Sequence, residues 1–398
     1  MLAERIRQAR LAAGLTQDEM VARLDGRITK AALSHYENGK RTPHATILKA
    51  LGDVVGVRAQ WFIDTPKLHI EWHAFRSLAS LSKRKREEIQ ALAAHKAAQY
   101  MDVWALFPSR EYATIPKRRP VKTPEEADSL AVALRKRWML GLDAIESVTQ
   151  CLENHGVLIV PYSGETTRGF DGLSATVNGC HPLLIVNTEV PVDRLRFDLL
   201  HELGHVLMDT SKLGSDKEEE RLAHRFASSF LVPPDVLRHE LGTKRRSLML
   251  SELLLLKEKY GMSLAAWIFA AKAHGIIDAA LAKSLWIGLA KRGWKKKEPS
   301  VFHGNEAPSL LRQLTMRAVA EGLLGVERAL EIMPNIQDAL EREGFSMESR
   351  TKDFAKLTPS ERRKRMQEAA AIAAADYAPE GPLAEALEHE GDMLYEYE

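Results

Sequence analysis

The run RFDLLHELGHVLMD, residues 196 to 209, constrains this chain more than any other stretch. His201 and His205 stand four residues apart with Glu202 between them. On a helix, positions i and i+4 share one face a turn apart, so both imidazoles can aim at one point. That geometry suits a zinc ion bound through ring nitrogens at about 2.0–2.1 Å. Glu202 is placed to act on water beside the metal without ligating it. Two histidines could also fall four apart by chance on an amphipathic helix, so the reading needs a third ligand. The run DKEEERLAHRFASSFLVPP supplies candidates fifteen positions beyond His205. Glu218, Glu219 and Glu220 open a helix whose apolar face is Leu222, Phe226 and Phe230. Acidic residues in a first turn also stabilise the helix dipole, and spacing alone does not select one of the three. Ala223 is small enough for two helices to approach closely, and His224 shares a face with Glu220.

The surrounding pattern frames that helix. Residues 123 to 139 and 145 to 155 read as helices, followed by the β-rich runs GVLIVPY, GLSATVNG and PLLIVNT. Asn178-Gly179 joins the last two as a hairpin. GFDGLSATVNG is expected to be an edge strand, able to align a substrate by backbone pairing. The motif helix begins near Val192, a further helix ends at Pro233-Pro234, and residues 247 to 290 are helical and apolar enough to pack on the same core. Trp267, Phe269 and Trp286 read as core aromatics. Cys180-His181 reads as incidental to metal binding. The basic run KRGWKKKEPS, residues 291 to 300, marks a boundary and reads as a solvated linker, the alternative being contact with DNA phosphate.

The first forty residues carry a different signal. Short helices alternate with turn residues; Thr16 caps one with Glu19 completing a capping box, and Thr29 caps the next. Two such helices form a helix-turn-helix candidate whose second member enters the major groove. Lys30, Ser34 and His35 would project from it toward base edges or phosphates, Gln17 would set a helix N-terminus against a phosphate, and Lys40 and Arg41 add charge beyond. The competing reading is a small helical bundle used for dimerisation.

With 398 residues, 45% hydrophobic and 28% charged, the chain is long enough for two or three globular domains. No apolar run reaches the roughly 18 residues of a membrane span, and the charged start MLAERIRQAR does not read as a secretory signal. Two cysteines, Cys151 and Cys180, make no disulfide framework and fit a reducing cytoplasm. The net charge of +2 conceals a basic beginning and a strongly acidic end. This asymmetry points to nucleic acid at one end and a basic partner at the other.

Two family resemblances sharpen these readings. RIRQARLAAGLTQDEMVARLDGRITKAALSHYENGKRTPHATILKALGDVVGV resembles the XRE-type helix-turn-helix family of repressors, in which Gln17, Lys30, Ser34 and His35 fall at positions that face DNA. RFDLLHELGHVLMD with EEERLAHRFASSFLVP resembles the ImmA/IrrE metallopeptidases. Aligning Ala223, Phe226, Ala227 and Pro233 to that family's second helix implies Glu220 as third zinc ligand, with His201 and His205 as the others and Glu202 as general base. His224 departs from the family, which carries Asn or Asp there; it could orient His201 or His205 as a second-shell group, or compete for the metal.

The fold implied is α+β, mostly α. A five-helix XRE-type domain at 1–65 and a helical linker at 66–119 precede a zincin-like domain with a small sheet at 120–290. A helical extension at 291–356 and an acidic tail at 357–398 follow. The tail resembles a small antitoxin-type polypeptide; a disordered acidic end is the plainer reading. The resemblances imply a cytoplasmic regulator, working as a homodimer on an operator. Its zinc endopeptidase would cut a cognate repressor in a phage, stress or toxin–antitoxin setting. The rival is a DNA-binding regulator whose metal site is structural or sensory, without proteolysis; such a site has no use for Glu202.

Overall fold

A computed structural model describes residues 2–63, 68–73, 81–107, 115–163, 170–211 and 213–345. The acidic tail at 357–398 lies outside the described residues. The chain divides into two compact units.

The first unit comprises Met1–Lys67, Arg84–Phe107 and Leu311–Glu398. It opens with α1 (Leu2–Ala12), α2 (Gln17–Arg23), α3 (Lys30–Glu37), α4 (Ala45–Val55) and α5 (Ala59–Ile63). Thr16 accepts from the Glu19 amide while Glu19 reaches back to the cap, and Thr29 accepts from the Ala32 amide. Both helix starts therefore follow from side-chain chemistry alone. Ile6, Met20, Leu33 and Leu51 are fully buried between the helices. A buried ion pair joins α1 to α3, with Arg10 Nη2 donating to Glu37 Oε2 at 2.9 Å.

Residues 66–119, read from the sequence as a helical linker, are shared between the units. The long helix α6 (Lys83–Ala105) belongs almost wholly to the first, where Arg7 bonds Glu87 at 2.8 Å and the Trp61 ring meets His95 at 5.2 Å. It is a packing element, with Ile89, Ala93, Ala97 and Val103 fully buried.

The second unit comprises Leu68–Lys83 and Pro108–Leu310. Its main sheet is built from β1 (Ile70–His73), β3 (Leu158–Tyr162), β4 (Gly172–Val177) and β5 (His181–Asn187), in the order β1-β4-β5-β3. β4 and β5 form the expected hairpin, and both Asn178 (φ 52°) and Gly179 (φ 71°) take the left-handed backbone its tight turn needs. One expectation is corrected. β4 is an interior strand, because β1 pairs antiparallel along it from Ile70↔Val177 to His73↔Ser174. Nothing local in IEWH announced a partner a hundred residues away.

A second, two-stranded sheet pairs β2 (Arg119–Pro120) with β6 (Met208–Asp209), and Arg118 Nε donates to the Met208 carbonyl at 3.0 Å. The helices are α7 (Pro124–Arg137), α8 (Val148–Asn154), α9 (Val192–Leu207), α10 (Asp216–Leu231), α11 (Pro234–Leu241), α12 (Leu250–Tyr260), α13 (Leu264–Ala273) and α14 (Ala279–Lys291). They share one core with the sheet, in which Leu199, Leu203, Phe226, Phe230, Trp267 and Ile268 are fully buried. Trp267 is thus a core aromatic as expected, whereas Phe269 and Trp286 are only partly buried.

The basic run does not end this unit. Glu298 accepts from Lys257 Nζ at 2.7 Å and from the Leu264 amide at 3.0 Å. Glu306, only 5% exposed, caps α8 through the Val148 and Thr149 amides and pairs with fully buried Arg196 at 2.6 Å. The chain crosses to the first unit only after Leu310, twenty residues beyond the sequence-derived boundary. There α15 (Leu310–Ala320), α16 (Val326–Ile332) and α17 (Gln337–Arg342) follow, with Arg328 bonded to Asp102 of α6 at 2.9 Å.

Candidate metal centre

The centre is set by how α9 and α10 meet. Arg196 fixes the start of α9, donating to Glu306 and to the Ile145 and Glu146 carbonyls. One turn beyond His201, Gly204 lies against α10; a Cβ there would meet the Phe226 ring at 3.2 Å and the Ala223 Cα at 3.5 Å. Gly204 and Ala223 are both small, and the two helices close together at that point.

That approach carries the Glu220 carboxylate to both histidines. His201 Nε2 lies 3.1 Å from Glu220 Oε2 and 3.1 Å from His205 Nε2, and His205 Nε2 lies 3.6 Å from Glu220 Oε1. Among the described residues, His201, His205 and Glu220 are the one group with spacing suited to a metal ion. Ligands each ~2.0 Å from a tetrahedral ion stand ~3.3 Å apart, so these three fit zinc. The hydrogen bond from His201 holds the Glu220 carboxyl down to about 2, well suited to an anionic ligand.

Glu202 sits beside them, 3% exposed, and its Oε2 has no hydrogen-bond partner among the described residues. Burial pushes its carboxyl up to about 6, against the pull of His205 and of Ser174. The start of β4 closes over it. A Cβ on Gly172 would lie 2.7 Å from Glu202 Cγ and 3.0 Å from Oε1, so only glycine leaves Glu202 its place.

Glu219, one of the three glutamates that spacing left open as third ligand, takes a different place. Its Oε1 lies 3.2 Å from His205 Nδ1, the nitrogen turned away from the cluster. Donation from Nδ1–H leaves the Nε2 lone pair facing His201 and Glu220. Burial opposes charge on His205, but the Glu219 hydrogen bond and the nearby carboxylates outweigh it and raise its pKa. The sequence offered three consecutive glutamates, and only their rotation about α10 separates their roles.

His224 is exposed, its ring 4.7 Å from that of His201 and 5.6 Å from Phe197. It supplies no atom to the cluster, and His201 Nδ1 is without a partner among the described residues. His224 therefore touches His201 through ring contact. Cys180 is exposed and free, and neither it nor His181 joins a metal-binding group among the described residues.

In the first unit, the residues expected to face DNA are largely partnered. Gln17 Nε2 donates to Glu37 Oε2 at 2.8 Å, and Lys30 Nζ pairs with Asp18 at 2.7 Å with both side chains exposed. Ser34 accepts from Asn38 Nδ2 through its carbonyl at 2.7 Å, His35 is half-buried, and Lys40 and Arg41 are exposed. No helix among the described residues is long and apolar enough to cross a membrane.

Comparison with known families agrees with both regions. Residues 152–272 match the family described as IrrE N-terminal-like domain, a peptidase family, and residues 6–62 match the family described as helix-turn-helix. No curated protein matches the chain.

Proposed function

For a chain that joins an XRE-type helix-turn-helix domain to an IrrE-like metallopeptidase domain, we propose a cytoplasmic DNA-binding regulator that cuts a partner protein by zinc-dependent hydrolysis. The observation that carries the reading is the convergence of His201, His205 and Glu220 at ligand spacing beside a buried Glu202 oxygen that has no partner among the described residues. Zinc held by those three would polarise a peptide carbonyl and acidify water.

The protein's own groups do the remaining work. Glu202 takes the proton from the attacking water and passes it to the departing amide nitrogen, a task suited to a carboxyl near 6. Gly172 keeps the carboxylate in place, and Glu219 holds His205 in the tautomer that presents Nε2. The domain of residues 1–65 brings the enzyme to an operator, as a homodimer on two half-sites. There Gln17, Lys30, Ser34 and His35 face the groove, with Lys40 and Arg41 at the phosphates. The substrate is a cognate repressor or an antitoxin-like protein.

Glu202→Gln tests this. The variant is expected to keep its metal and capture a cellular protein that the wild type cleaves, with cleavage slowed about 1000-fold. A variant that cleaves the captured protein as fast as wild type overturns the assignment of Glu202.

A further inference from the structure

The basic run after α14 serves neither the metal centre nor the helix-turn-helix, and its setting is specific. Lys291, Arg292, Lys295, Lys296 and Lys297 place five cations within seven residues, and Lys283 precedes them on α14. All six are exposed. Two other cations of this unit have carboxylates: Arg245 bonds Glu252 at 2.9 Å and Lys259 bonds Glu240 at 2.7 Å. Among the described residues, none of the six has such a partner.

Lys283 and Lys291 share one face of α14, and the other four follow within six residues. Lys283, Ile287 and Lys291 recur every four residues along the solvent face of α14, spanning about 12 Å. Gly293, at φ 71°, ends the helix, and the Trp294 amide donates to the Leu289 carbonyl at 2.9 Å, folding the chain back. Arg292 then lies 5.6 Å from the Trp294 ring and Lys295 lies 5.7 Å from the Trp286 ring. The following residues are anchored by Glu298 on Lys257 and the Leu264 amide. A solvated linker would not be tied at both ends in this way. Favourable interaction with the C-terminal dipole of α14 explains one or two cations, not five.

We propose that Lys283, Lys291, Arg292, Lys295, Lys296 and Lys297 form a sequence-independent contact to the phosphate backbone of duplex DNA, separate from the helix-turn-helix. Both tryptophan rings carry a cation on them, so the surface presents charge and no stacking platform for bases. Such a surface matches closely spaced phosphates, and the same polypeptide carries a helix-turn-helix domain, which on the proposed function holds duplex DNA. The operator-facing helix gains from a second contact, because its one lysine, Lys30, is already paired with Asp18.

The test uses the full chain and a fluorescent duplex of arbitrary sequence, titrated across salt concentrations. Wild type is set beside a variant carrying Lys291→Gln, Lys295→Gln, Lys296→Gln and Lys297→Gln, and beside one with Arg at the same four positions. The Gln variant is expected to lower the slope of log affinity against log salt by about 3.6, about 0.9 for each lost phosphate contact. Its loss of affinity between about 50 and about 200 mM salt would then be roughly 100-fold smaller than that of wild type. The Arg variant should keep the wild-type slope, which separates lost charge from lost fold. An unchanged slope in the Gln variant overturns the proposal. So does a Gln variant that keeps DNA affinity while losing binding to polyglutamate, which would make this a docking surface for an acidic protein. Arg41→Gln in parallel reports on the helix-turn-helix alone, so the two contacts can fail separately.

Discussion

The helix-turn-helix and the metal centre arrange their polar groups in opposite ways. Around α2 and α3, Gln17 and Arg10 both donate to Glu37, and Lys30 pairs with Asp18. Around α9 and α10, three candidate ligands are pressed together, while Glu202 Oε2 and His201 Nδ1 are buried without a partner among the described residues. Leaving a buried polar atom unpaired costs about 1–3 kcal/mol, and two such atoms stand at this cluster. On the proposed function, the first region would dock on DNA with its polar groups already paired, and the second would take up a metal and a reacting bond.

Outside Glu202 itself, that contrast is broken most strongly at Gly172. Gly172→Ala drives a methyl into Glu202 and should lower peptidase activity about 100-fold with metal content unchanged, since the three nearest atoms there all belong to Glu202. Equal activity would show that Glu202 has room to spare. Glu219→Gln should weaken metal affinity about 10-fold, read by competition with a chelator, because an amide holds His205 less firmly than a carboxylate. Unchanged affinity would make Glu219 a dipole-stabilising residue after all. The smallest effect belongs to the DNA face. Lys30→Gln should change the affinity for operator less than threefold, because Asp18 already compensates that charge, whereas Arg41→Gln should lower the salt slope by about one. The reverse order would mean that Lys30 leaves Asp18 when DNA arrives.

The same two regions show what a sequence discloses. Thr16 with Glu19, Thr29, and Asn178-Gly179 act on backbone within four residues, so local reading placed those helix starts and that turn. His201 and His205 are fixed to one face by helical geometry, and the family resemblance singled out Glu220 from its neighbours. The features not legible depend on distant packing. β1 joins β4 across a hundred residues, α6 packs in the first unit, and Glu306 reaches Arg196 from beyond a run that reads as linker. Gly172 and Glu219 belong to the same class. Neither residue type is unusual where it stands, and each acquires a role only when another element closes on it.

The central claim is that His201, His205 and Glu220 bind one zinc, and metal content tests it most directly. Wild type and Glu220→Gln are purified side by side under mild chelation and assayed by elemental analysis. The account predicts one zinc per chain in the wild type and substantially less in the variant. A wild type without metal, or zinc retained equally by both proteins, would contradict it.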